Sequence, residues 1–70
     1  METTVTTSIS MDGIAREEKL LFNDLNLAKV GVYKAKNELR NKGFDVSMNV
    51  ALPFGLIAFR DNMKITMTIN

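Results

Sequence analysis

From Val46 to Ile69 the chain alternates apolar and polar residues around two turn signals, and this alternation constrains the fold more than any other feature. The run VALPFGLIAF, Val50 to Phe59, is the most apolar segment and is cut in its middle by Pro53 and Gly55. Proline suits the second position of a type I turn, and glycine accepts the left-handed conformation after it. Pro53-Phe54-Gly55 therefore predicts a three-residue hairpin loop pairing Leu52 with Leu56 and Val50 with Ala58. Asp61-Asn62 predicts a second, two-residue turn, because both residue types tolerate positive φ. It pairs Arg60 with Met63, Ala58 with Ile65 and Leu56 with Met67. Assigned independently, the two turns agree: Val46, Met48, Val50, Leu52, Leu56 and Ala58 share a face with Met63, Ile65, Met67 and Ile69. A slip of one residue would invert that face, so a three-stranded antiparallel meander is expected.

The opposite face carries Ser47, Asn49, Lys64, Thr66 and Thr68, but also Ile57 and Phe59, while Phe54 falls at the turn tip. Large apolar side chains among polar ones are either covered or bind a partner. Phe54, Ile57 and Phe59 are accordingly candidate partner-binding residues.

Upstream, Thr3 to Ser10 is rich in β-branched and hydroxyl residues and predicts an edge strand. Asp12 can cap a helix start, with Glu17 and Glu18 near its positive end. Arg40 and Lys42 before Gly43 match the other end. Between them Ile14, Glu18, Leu21, Leu25, Ala28, Val32, Ala35 and Leu39 follow spacings of four and three, which predicts a helix. Roughly thirty helical residues would extend ~45 Å, against ~24 Å for a strand of about seven residues. A break is therefore expected at FNDLN, with Asn23 or Asp24 capping a second helix; otherwise one long helix buries its excess in an oligomer. Leu20, Leu27 and Val30 lie opposite the seam and would form a self-association face. The expected fold is α+β, in the order β-α-β-β-β, as a single domain over residues 1–70.

A chain of 70 residues has a thin core and gains from self-association. Its charge of +1 gives no overall bias towards nucleic acid or anionic membrane, and no stretch approaches the length that spans a bilayer. METTVTTSIS lacks the basic and apolar regions of a signal peptide, so a cytoplasmic location is expected. The chain has no histidine and no cysteine, which removes zinc sites and Ser-His or Cys-His nucleophile arrangements. Glu17 and Asp24, two turns apart on the expected helix, are the sole candidate carboxylate pair and fit solvated flank better than acid-base work. No glycine spacing suits a phosphate loop. Neither catalysis, cofactor nor metal is expected.

Lys29, Lys36 and Arg40 form a basic stripe with Tyr33 between them, a candidate nucleic-acid-binding surface. VYKAKNELRNKGF followed by a hairpin, Val32 to about Phe59, resembles the recognition helix and wing of winged-helix DNA-binding domains. That resemblance implies a small nucleic-acid-binding regulator using Lys29, Tyr33, Lys36 and Arg40. The leading expectation is instead a non-enzymatic interaction or regulatory protein of the accessory kind found in phage or mobile elements. It would be a homodimer binding itself or another protein through Phe54, Ile57 and Phe59, or through Leu20, Leu27 and Val30.

Overall fold

The computed structural model describes residues 2–51 and 54–69. Its elements are β1 (Thr3–Met11), β2 (Ile14–Phe22), α1 (Leu25–Asn41), β3 (Asp45–Asn49), β4 (Gly55–Arg60) and β5 (Met63–Ile69). All five strands form one antiparallel sheet in the order β2-β1-β5-β4-β3, with α1 packed on one face. The fold is α+β, as expected, with one strand more and a shorter helix.

The extra strand corrects the reading of residues 14–22 as helix. Asp12 and Gly13 have φ of 51° and 81°, the double positive-φ pattern of a two-residue hairpin turn. That turn folds β2 back along the whole of β1, from Met11 opposite Ile14 to Thr3 opposite Phe22. AREEKLL is a good helix-forming stretch, and strand pairing overrides that modest preference. As a result β1 lies between β2 and β5 rather than at an edge, and Glu17 and Asp24 share no helix face.

The helix begins where a second helix was expected to be capped. Asp24 is extended, with φ −150° and ψ 171°, and its Oδ1 accepts a hydrogen bond from the Leu27 amide at 2.9 Å. The helix ends at Gly43, φ 90°, where the Phe44 amide donates to Leu39 O and the Gly43 amide to Arg40 O, both at 3.0 Å. This is the paired-bond glycine cap that turns the chain sharply out of a helix. Seventeen residues give about 26 Å, a length the sheet can cover.

The Asp61-Asn62 hairpin has the expected register, with Leu56 opposite Met67, Ala58 opposite Ile65 and Arg60 opposite Met63. The β3–β4 hairpin does not. Met48 pairs with Leu56 and Val46 with Ala58, a displacement of four residues from the expected partners. The connection therefore spans residues 50–54, and Leu52 and Pro53 of the expected tight turn lie outside the described residues. Phe54 accounts for the difference. Its carbonyl accepts from the Ile69 amide at 2.8 Å and its side chain is 4% exposed, so it continues the core edge of β4. Because four is even, the faces survive the shift. Leu56, Ala58, Ile65 and Ile69 are buried and Val46, Met48, Met63 and Met67 half-buried, whereas Val50 is exposed.

Ala28 and Val32 of α1 are fully buried in the same core as Val5, Leu56, Ala58 and Ile65. Phe44 and Phe54 close that core. Among the described residues no helix is long and apolar enough to cross a membrane.

Candidate functional site

Alternation along β4 sends Leu56 and Ala58 under the helix and Ile57 and Phe59 to the other face, which α1 does not cover. Ile57 is 43% and Phe59 52% exposed. They lie two residues apart on one strand, ~7 Å, and form a continuous apolar step. Each has polar cross-strand neighbours: Phe59 lies between Lys64 and Asp45, and Ile57 between Thr66 and Ser47. Lys64 Nζ sits 5.7 Å from the Phe59 ring centre, an ammonium–ring contact that leaves the outer ring surface open. Further across, β1 adds Ser8 opposite Thr66 and Ser10 opposite Lys64. These four line a shallow depression of about 200 Å³. A second, of about 300 Å³, runs from Ile57 past Thr66 to Thr68 and Asn49.

The helix-free face thus offers hydroxyl groups in its middle, an apolar step at Ile57 and Phe59, and charges of both signs at Asp45, Lys64, Glu17 and Lys19. Among the described residues no three carboxylates gather into a metal-binding group. Such a face can make a broad contact with both apolar and hydrogen-bonding parts.

The remaining candidates are dispersed. Phe54 is core rather than turn tip, edge-on to Tyr33 with ring centres 5.6 Å apart, and is not available to a partner. Leu20 lies in β2, not on a helix; it pairs with Val5, faces the helix side and is 53% exposed. Leu27 and Val30, 48% and 49% exposed, lie on α1. The expected helical face of all three is therefore not formed.

Lys29, Tyr33, Lys36 and Arg40 do lie along one flank of α1. Lys29 Nζ is 5.4 Å from the Phe54 ring centre and Lys36 Nζ 5.2 Å from that of Tyr33. Arg40 donates to Val46 O at 3.4 Å. Lys29 and Arg40 thus tie the helix to the sheet side, whereas Lys36 contacts Tyr33 of the same helix. The helix-then-hairpin order of the winged-helix resemblance is present, but α1 is the sole helix among the described residues, so no helix-turn-helix accompanies it.

Two residues expected on the buried helical seam are instead exposed on a strand. Ile14 and Leu21, 71% and 68% exposed, flank the charged centre of β2. The strand's period-two pattern, Ile14, Leu20 and Phe22 on one face with Ala15 and Leu21 on the other, was the available signal, and the helical spacing overlaid it. Comparison of the chain with protein-family models, with curated proteins and with solved structures finds no match.

Proposed function

We propose that this is a small non-enzymatic interaction protein that acts as a homodimer and binds another protein through its helix-free sheet face. The supporting observation is the pair Ile57 and Phe59, half exposed between hydroxyl and charged neighbours, Thr66 and Ser47 beside Ile57 and Lys64 and Asp45 beside Phe59, although the core on the other side has its own apolar set. Desolvating an aromatic and a branched aliphatic residue inside a polar surround is how protein-binding surfaces gain most of their affinity.

The test compares the wild type with Phe59→Ser and Ile57→Ser in co-purification from host extract, alongside thermal melts. The bound protein is expected with the wild type and lost by at least tenfold with either variant, while the melts stay close. Retention by both variants would refute the face. Unfolding of Phe59→Ser would make Phe59 a core residue. Binding that survives both but disappears with Lys36→Glu and Arg40→Glu, and depends steeply on salt, would move the function to nucleic acid.

A further inference from the structure

Among the described residues β2 pairs with β1 alone, so one of its two backbone edges has no partner in the sheet, along nine residues. In a two-residue hairpin the residues flanking the turn exchange hydrogen bonds. Met11 and Ile14 are that pair, so Ile14, Arg16, Glu18, Leu20 and Phe22 direct their backbone groups to β1. Ala15, Glu17, Lys19 and Leu21 direct theirs outwards. A long edge of this kind is a template for another strand. The sheet's other edge, β3, has only five residues, and Arg40 already donates to its Val46 carbonyl.

We propose that β2 is the dimerisation edge, with two copies pairing antiparallel about a two-fold axis through Glu18 to form one ten-stranded sheet with both helices on the same side. The proposal rests on the homodimer in the functional reading and specifies how it is built. Three observations support it.

The first is charge order. A two-fold axis that continues a sheet antiparallel must be perpendicular to it, which pairs odd with odd and even with even positions of β2. An axis through any of Arg16, Glu17, Glu18 or Lys19 sets that one residue against its own copy, so each of these registers carries a single like-charged pair. With Glu18 on the axis, Glu17 faces Lys19 of the second copy, twice over. Arg16 lies diagonally beside the one like-charged pair, Glu18 with its own copy.

The second is an uncovered apolar corner. Ile9, Met11, Ile14, Arg16 and Met63 line an open depression of about 370 Å³ on the helix side of the sheet. In the same register Phe22 of the second copy stands opposite Ile14, at the mouth of this depression.

The third is the flank of α1 beside β2. A Cβ on Gly31 would lie 3.0 Å from the Phe22 ring, so this flank faces β2. Leu27 is one turn earlier on it. Leu20 and Leu27, about half exposed in the single chain, both lie towards the proposed seam.

Sedimentation equilibrium on the full chain tests the pairing. The wild type should dimerise, and Glu17→Lys or Lys19→Glu alone should each weaken the dimer about tenfold or more. An equimolar mixture of those two variants should recover it, because every like-charged pair they create separately becomes an opposite-charged pair. Glu17→Pro removes an outward N–H, which an edge strand tolerates, and should give a folded monomer by circular dichroism. A wild type that is monomeric at every concentration, or charge variants that dimerise as tightly apart as mixed, would overturn the proposal: the charges would then serve to keep the edge solvated. Phe59→Ser tests the helix-free face independently, because β2 and Phe59 are separated by β1 and β5.

Discussion

Phe54 and Phe59 are five residues apart and identical in chemistry, yet their surroundings assign them opposite roles. Phe54 is closed in by Tyr33 and the Lys29 ammonium and is 4% exposed. Replacing it with alanine should cost about 3–5 kcal/mol, as for other buried aromatics. Phe59→Ser should change stability by no more than about 1 kcal/mol, because the ring is half in water already. Urea unfolding of the two variants checks the contrast, and equal losses would contradict the placement of Phe59. Gly55 is the other residue with no substitute. A Cβ there would run into the Met67 backbone carbonyl on β5, so the strands meet too closely for any side chain. Gly55→Ala should therefore destabilise by about 3 kcal/mol or more, measured in the same unfolding series. This glycine reads in the sequence as a turn former, whereas the fold uses it for close approach.

At the scale of elements, what the sequence made legible follows the range of the interactions involved. The Asp61-Asn62 hairpin was readable to the residue because its turn chemistry and pairing are local, and Asp61 does adopt φ 51°. The helix end at Gly43 was readable for the same reason, and Asp24 was one of two residues expected to cap a second helix, whereas Asp12, expected to start the first, lies in the β1–β2 turn. The β3–β4 register was not, because it depends on Phe54 bonding to Ile69, fifteen positions away. β2 was hidden by two superposed periodicities. Its charged centre suits a helix, and only pairing with β1 through the Asp12-Gly13 turn decides for strand. Of the candidate site, Ile57 and Phe59 were legible from alternation alone, whereas the β2 edge became visible only with the sheet order. Asp24→Ala should cost about 1 kcal/mol by loss of the bond to the Leu27 amide. Thermal unfolding measures that loss. The same substitution should leave β2 intact, visible as unchanged extended chemical shifts over residues 14–22. Helical shifts in that segment would contradict the strand assignment.

The described residues form a sheet with one face covered by α1 and one uncovered, and with one long unpaired edge at β2. Its extents of 36 × 22 × 18 Å make it elongated along one axis. The core relies on nine buried apolar residues among those described, a small set for an independent domain, so continuing the sheet into a second copy adds stability that the single chain lacks. A dimer built along β2 would also set two helix-free faces side by side. The partner-binding surface would then double without any new fold, and a bivalent partner would be held more tightly than either face alone could hold it. Light scattering across protein concentration tests this account most directly. The chain has a mass of 7.8 kDa. A dimer paired along β2 gives twice that mass at high concentration, falling to the monomer value on dilution. A mass that stays at the monomer value at every concentration would contradict it.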